Sequence, residues 1–130
     1  MYLPLIHSQV ALNRNDPAKA FEVIAPYEKY DLSLGVSPLL QIYVRGTVRL
    51  AQKKGPEAAA DFKKLLDNRN VAPNEIFPAL AQLGLARAYA LSGDTAKART
   101  AYQDFFAIWR DADPDLPILK QAKAEYAKLQ

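Results

Sequence analysis

Residues with the chemical character of catalytic or metal-binding groups are sparse in this chain of 130 residues. His7 is the single histidine and there is no cysteine, so a zinc site made from nitrogen and sulfur ligands is excluded. A Ser-His-acid triad would have to use His7, and no nucleophile-elbow sequence is present. We interpret His7 as an ordinary helix residue. We expect no enzymatic activity, no metal and no cofactor.

Two sets of acidic residues have spacings that invite a chemical interpretation. Asp111, Asp113 and Asp115 alternate like the ligands of a calcium loop, but a proline follows Asp113, and the glycine and distal glutamate of such a loop are missing. We interpret this run as the end of one helix and the cap of the next. Glu57 and Asp61 lie one helical turn apart, and we expect them on a solvated helix face rather than in a catalytic pair.

Basic side chains are concentrated in the middle of the chain, where residues 35–70 carry seven Lys or Arg and three Asp or Glu. These basic residues are Arg45, Arg49, Lys53, Lys54, Lys63, Lys64 and Arg69. A solvated helix surface would have this composition, but it could also attract an anionic partner such as a nucleic acid. Glu57 and Asp61 interrupt the patch, and the rest of the chain is neutral or acidic. Nucleic-acid or anion binding is therefore an alternative, not the leading hypothesis.

Apolar residues recur with the 3.6-residue period of helices, and no sustained alternation predicts a strand. The predicted helices span residues 3–13, 17–30, 38–53, 57–67, 76–92, 95–111 and 116–129. Asp16 and Asp94 are expected to cap helices, and Gly93 to end one in the left-handed conformation. Residues 31–38 are interpreted as a connector. We expect an all-α fold in a single domain, 1–130, with no membrane-inserted segment.

Three small residues mark a repeat along the chain. Ala20, Ala58 and Ala98 are each followed four residues later by a large apolar residue, and they are separated by 38 and 40 residues. A period of this size predicts an array of helical units, each needing its neighbours to bury its apolar face. The units are expected near residues 3–30, 38–67 and 76–112.

The third unit resembles a tetratricopeptide repeat. The residues that carry the likeness are Leu85, Ala86, Tyr89, Gly93, Asp94, Ala98 and Tyr102. Gly46, Ala58, Phe62 and Leu65 occupy the same positions in the middle unit, and Ser8, Asp16, Ala20 and Ile24 occupy them in the first. Arg49 stands where the middle unit should have an aromatic residue. The resemblance implies a right-handed α-solenoid of about three helix pairs, closed by a capping helix at 116–129.

The cap is expected to place Lys120, Lys123 and Glu125 on its outer side, with Trp109 packed against it. The chain also resembles, through residues 86–105 and 111–130, the C-terminal repeat region of some bacterial serine/threonine kinases and winged-helix regulators. That likeness implies the docking or sensory piece of a longer signalling protein. It favours a bacterial cytoplasmic location, with the periplasmic side of a membrane-anchored parent as the alternative. No signal peptide is recognised.

In repeats of this family the first helix of each pair lines a groove, and the resemblance transfers that role to particular positions here. They are Leu5, Gln9, Asn13, Leu40, Tyr43, Thr47, Leu50, Leu80, Leu83, Arg87 and Leu91. A largely apolar groove of this kind could bind a protein or peptide segment. The alternative is that the seventh helix or a neighbouring subunit covers the leucines, which would make the chain an oligomerisation module.

Overall fold

The computed structural model describes residues 2–33 and 37–130, and within these ranges it contains helices and no strands. The all-α prediction is therefore confirmed. The helices are α1 (Tyr2–Asn13), α2 (Pro17–Ile24), α3 (Leu40–Ala51), α4 (Gly55–Asp67), α5 (Phe77–Leu91), α6 (Thr95–Ile108) and α7 (Pro117–Ala127), with short 3₁₀ segments at Ala25–Tyr30 and Arg69–Val71. Residues 34–36 of the predicted connector lie outside the described part.

Helix starts follow the expected capping chemistry. The Asp16 carboxylate accepts a hydrogen bond from the backbone N–H of Lys19 at 3.0 Å, and Asp94 accepts one from Lys97 at 3.2 Å. Each bond satisfies an N–H group that has no partner inside the helix. Both predicted caps are confirmed.

The second helix is shorter than predicted. Regular α-helix ends at Ile24, and the chain continues as a 3₁₀ segment to Tyr30. Pro26 has no backbone N–H to donate to the carbonyl four residues earlier, so an α-helix cannot continue through it unbroken. This early end brings Asp31 to the surface of α3 and α4, where it forms the contacts described below.

Three turns between consecutive helices share one geometry. Asn15, Lys53 and Gly93 have positive φ angles of 59°, 62° and 80°. In each turn the following N–H bonds the carbonyl oxygen five residues earlier, as in the 2.9 Å bond from Lys54 to Arg49. This is the bonding of a Schellman-type helix end. The left-handed residues are separated by the same 38 and 40 residues as the buried alanines, so the turns repeat together with the sequence.

Consecutive helices from α1 to α7 contact one another, and α3 also contacts α1 and α5. Ala20, Ala58 and Ala98, the three marker residues, are all fully buried. Three hydrophobic clusters form the core, one among α1, α2 and α3, one among α3, α4 and α5, and one among α5, α6 and α7. The apolar faces of neighbouring helices are thus buried in sequence along the chain.

Phe62 fills the space between two helices that belong to different parts of the array. Its ring lies against Gly46 of α3 and Gly84 of α5, so closely that a Cβ atom on either glycine would lie 2.7 Å or 2.5 Å from a ring carbon. The two glycines therefore set how near α3 and α5 approach the ring. A methyl group at either position would require the helices to move.

Candidate binding site

Two of the eleven predicted groove residues belong to the hydrophobic core. Leu5 is buried in the cluster of α1, α2 and α3, and Leu83 is buried together with Leu119 and Ala122 of α7. The expectation that these two leucines line a groove is wrong. Leu83 is covered because α7 packs on α5, which is the alternative that the sequence had left open for part of this surface.

Four further groove positions are half-buried and make internal contacts. The Tyr43 ring lies 5.5 Å from that of Phe77 and 6.2 Å from that of Phe62, and the Thr47 hydroxyl donates to the carbonyl oxygen of Tyr43. Leu40 packs against the cluster of α1, α2 and α3. Leu80 is also half-buried. These residues hold helices together more than they offer a surface.

Gln9 and Asn13 are exposed on α1, one turn apart. The Gln9 side-chain amide donates to the Asn13 side-chain oxygen at 3.0 Å. They lie away from the remaining groove residues, because α1 contacts α2 and α3 but not α5 or α7 among the main helix contacts.

The last three groove residues, Leu50, Arg87 and Leu91, meet in one open depression of about 440 Å³ at the C-terminal ends of α3, α5 and α7. Its other lining residues are Lys53, Ala90, Tyr102, Glu125, Lys128 and Leu129. We refer to these nine residues together as the α3–α5–α7 depression. It has the composition expected of a ligand site, with an apolar wall and a small number of polar groups.

Arg87 is held in place by Glu125. Its Nε and Nη2 atoms donate to the two Glu125 oxygens at 2.9 and 3.1 Å, which makes a two-point contact between α5 and α7. Glu125 therefore points toward α5, and the prediction that it lies on the outer side of α7 is wrong. The pair also lies beside Tyr102: burial raises the pKa of that phenol to about 12, and the Glu125 carboxylate adds to the shift.

The rim of the α3–α5–α7 depression is basic. Lys53 and Lys128 have exposed side chains at the ends of α3 and α7, and no ion pair involves either within residues 2–33 and 37–130. Because Arg87 and Glu125 neutralise each other, the two lysines leave the depression with a local excess of about two positive charges. An occupant with a negative group beside an apolar side chain would match both features.

The predicted basic patch is not a single surface. Arg45 is fully buried, so the expectation that it contributes to the patch is wrong. Its guanidinium lies between two carboxylates, donating to Asp31 at 2.6 and 2.9 Å and to Asp61 at 2.8 and 3.0 Å. Asp61 is also buried, which overturns its assignment to a solvated helix face. The middle of the chain thus encloses part of its charge.

Arg49 and Lys64 complete this buried ion cluster of Asp31, Arg45, Asp61, Arg49 and Lys64. Arg49 donates to Asp61 at 2.9 Å, and Lys64 donates to Asp31 at 2.8 Å. Three of the seven predicted patch residues are therefore engaged by aspartates. The cluster connects the segment after α2 to α3 and α4, and its members satisfy one another as buried charges must.

The two aspartates of the cluster differ in their ionisation. Burial alone would raise the pKa of Asp31, but hydrogen bonds from Arg45, Lys64 and Gln41 outweigh it and lower that pKa. At Asp61 burial is the larger influence and raises the pKa, although Arg45 donates to it. Burial also opposes the charge of Arg45, yet its bonds to both aspartates raise its pKa, so the guanidinium stays protonated.

The four remaining patch residues, Lys53, Lys54, Lys63 and Arg69, are exposed but separated. Lys53 lies in the α3–α5–α7 depression. Lys63 lines a different one, with Pro56 and Tyr89. The Lys54 ammonium lies 5.5 Å from the centre of the Phe21 ring. They do not form one continuous basic track.

Other chemistry has little support in the described part of the chain. Within residues 2–33 and 37–130, no three His, Asp or Glu side chains lie close enough to hold a metal ion. His7 is exposed on α1. Within the same ranges, none of the helices combines the length and the apolar character needed to cross a bilayer.

Sequence reasoning missed Asp31, Glu125, Lys128 and Leu129 as members of these sites. Asp31 falls in a connector, and nothing local in the sequence marks it as buried. For α7 a signal existed, because Glu125 is the only acidic residue between Pro117 and Gln130 and therefore stands out as a partner for a cation. Trp109, predicted to pack near α7, does lie against the cluster that α7 shares with α5 and α6.

Comparison with known proteins gave no relative: no family model, no curated protein and no solved structure matches the chain.

Proposed function

We propose that this chain is a non-catalytic scaffold of tetratricopeptide-like helix pairs that binds a protein or peptide segment in the α3–α5–α7 depression. Support for a repeated architecture comes from the three left-handed turn residues, Asn15, Lys53 and Gly93, which recur with the spacing of the buried alanines. Contacts of α3 with both α1 and α5 are those expected when successive pairs stack into a solenoid. The parent would be a larger bacterial signalling protein, as the sequence resemblance implies.

The observation that carries the proposed function is the α3–α5–α7 depression itself. Leu91 is 41% exposed there, next to Leu50 and Ala90, while Lys53 and Lys128 are free at the rim. Apolar surface flanked by unpaired cations favours a segment with an apolar side chain adjacent to an acidic group. We infer such an acidic-apolar peptide to be the ligand class.

Selection from a displayed library of random peptides tests this function. Peptides retained by the wild-type chain are expected to combine apolar and acidic residues. Leu91→Gln should weaken their binding about tenfold, equivalent to about 1.4 kcal/mol, because the apolar anchor loses its contact. Lys53→Gln should weaken chiefly the peptides with an acidic group and make the binding of wild type more salt-dependent than that of the variant.

Ile108→Gln is the matched control for Leu91→Gln. Ile108 is the last residue of α6, as Leu91 is of α5, and it is 54% exposed outside the depression. Its substitution should leave peptide affinity unchanged. Equal losses from both variants, or a selection that retains no peptide over background, would remove the α3–α5–α7 depression as the binding site.

A further inference from the structure

Helix α1 has an apolar outer face as well as an apolar inner face. It contains no charged residue. Leu5, Ser8 and Ala11 are buried against α2 and α3, while Leu3, Ile6 and Val10 are 62%, 56% and 39% exposed. The exposed three are spaced by three and four residues, so they form one stripe along the helix. A helix that is apolar on two sides normally has neighbours on both.

A hollow of about 370 Å³ lies beside this stripe, between α1 and α2. Val10, Ala11 and Val23 give it apolar walls, and His7, Arg14, Asp16 and Lys19 give it a polar edge. The stripe therefore has a protruding end at Leu3 and a recessed end near Val10. The two ends are seven residues apart, which is about 10.5 Å along the helix.

We propose that the outer face of α1 binds a second copy of this chain, with the two α1 helices antiparallel across a twofold axis near Ile6 and His7. In that arrangement Leu3 of one copy lies opposite Val10 of the other and enters its hollow, and the reverse contact is identical. A single surface then supplies both the projecting and the receiving part, which is what an isologous interface requires.

Charge favours a second copy as the occupant. Helices that meet across a twofold axis bring identical residues together, so any charge near the axis would face its own kind. α1 carries none, while Arg14, Asp16 and Lys19 place charges of both signs at the edge, away from the axis. The contact involves mainly one 12-residue helix, so the dimer belongs at the small end of protein interfaces and should dissociate on dilution.

Sedimentation and light scattering of the 130-residue chain over a concentration series test the dimer. We expect the mass to rise from one chain toward two with concentration. Ile6→Glu should keep the mass at one chain over the whole series, because it places a carboxylate at the axis in each copy. Ile108→Glu, with 54% exposure on α6, is the control and should dimerise as wild type does. Helical circular dichroism must be equal in all three.

Cross-linking tests the geometry independently, since the chain has no cysteine of its own. Ile6→Cys should form an intermolecular disulfide under mild oxidation about tenfold faster than Ile108→Cys, because the axis holds the two thiols together. A wild-type chain that stays monomeric at high concentration overturns the proposal, as does a dimer that Ile6→Glu leaves intact. Equal cross-linking rates would also overturn it. The Leu91→Gln variant, which tests the peptide site, should dimerise normally.

Discussion

The middle helix pair, α3 and α4, and the third pair, α5 and α6, fill equivalent positions with opposite chemistry. At a spacing of 40 residues, the equivalent residues are Arg45 and Leu85, Arg49 and Tyr89, Asp61 and Ala101, Phe62 and Tyr102, and Leu65 and Phe105. The middle pair encloses charges at the first three of these positions. The third pair is apolar or aromatic at all five. Yet both pairs bury their inner faces.

The difference follows from what each pair holds. The middle pair binds the chain after α2 through Asp31, whose carboxylate meets Arg45, Lys64 and Gln41 in fixed directions. The third pair binds α7 through rings, with Tyr102 and Phe106 lying 6.1 and 5.6 Å from Tyr126. Hydrogen-bonded charges specify one geometry but lose solvation when buried, whereas aromatic contact follows area and tolerates small shifts.

Converting the middle pair to the chemistry of the third gives the largest expected effect. Arg45→Leu should reduce the free energy of unfolding by about 3–5 kcal/mol, because it leaves Asp31 and Asp61 buried without their shared cation. Urea denaturation followed by circular dichroism measures the loss. Arg69→Leu removes an exposed arginine from the same region and should change stability by no more than about 0.5 kcal/mol.

The double variant Arg45→Leu/Asp61→Ala reproduces the leucine and alanine of the third pair. It should recover part of the loss, because one of the two stranded carboxylates is gone while Asp31 keeps Lys64. A double variant less stable than Arg45→Leu alone would mean that the two pairs are not equivalent at these positions, and the comparison would then fail.

Asp31→Asn should lower stability by about 1.5–3 kcal/mol at neutral pH, since it weakens hydrogen bonds to two charged groups. The pKa of Asp31 is lower in the folded chain than its ordinary value of 3.8, so its stabilisation is present above pH 3.8 and is lost as pH falls below that value. The gap between wild type and variant should therefore narrow below pH 3.8. A gap that stays constant from pH 7 to pH 3 would contradict the assigned role of Asp31.

The same contrast explains which parts of the fold the sequence could predict. The third pair was predictable because its small residues, its aromatics and its Gly93 turn are set by local helix geometry. The middle pair was predictable as two helices, but Arg45 and Asp61 looked like surface residues. Their burial depends on Asp31, which approaches from another element, and helical periodicity contains no information about that approach.

Phe62 distinguishes the two pairs in a second way, through the glycines that contact it. Gly84→Ala should destabilise the chain by about 1–2 kcal/mol. Overpacking against the Phe62 ring, 2.5 Å from the new Cβ, costs about 1–3 kcal/mol, and the better helix propensity of alanine offsets roughly 1 kcal/mol. Thermal and urea unfolding both measure this.

The Phe62→Leu background is the control for Gly84→Ala. With the ring gone, the added methyl group has room, and helix propensity should make Gly84→Ala neutral or stabilising. The sign change is the decisive result. A loss of the same size in both backgrounds would place the conflict elsewhere than at Phe62.

The candidate binding site was harder to predict than the fold. Leu50, Arg87 and Leu91 follow from the repeat register, because these positions face the same way on successive first helices. Leu83 follows the same rule and is nevertheless buried, since α7 covers it. The position of α7 depends on long-range contacts with Tyr102 and Phe105, so the open part of the surface could not be separated from the covered part by spacing alone.

Tyr102→Phe gives the smallest effect, and it makes the third pair resemble the middle one, which has Phe62 at this position. At neutral pH the change should stay within about 1 kcal/mol. Burial and the nearby Glu125 raise the pKa of Tyr102 from 10.0 to about 12, so the folded chain favours the neutral phenol. That contribution is fully present below pH 10 and is lost as pH rises from 10 to 12. Unfolding measured across this range should therefore decline less steeply in Tyr102→Phe than in wild type, while Tyr30→Phe, at an exposed position, should follow wild type. Identical alkaline profiles for all three chains would show that the third pair does not hold its phenol away from solvent, and its aromatic contact with α7 would then be looser than the ion cluster of the middle pair.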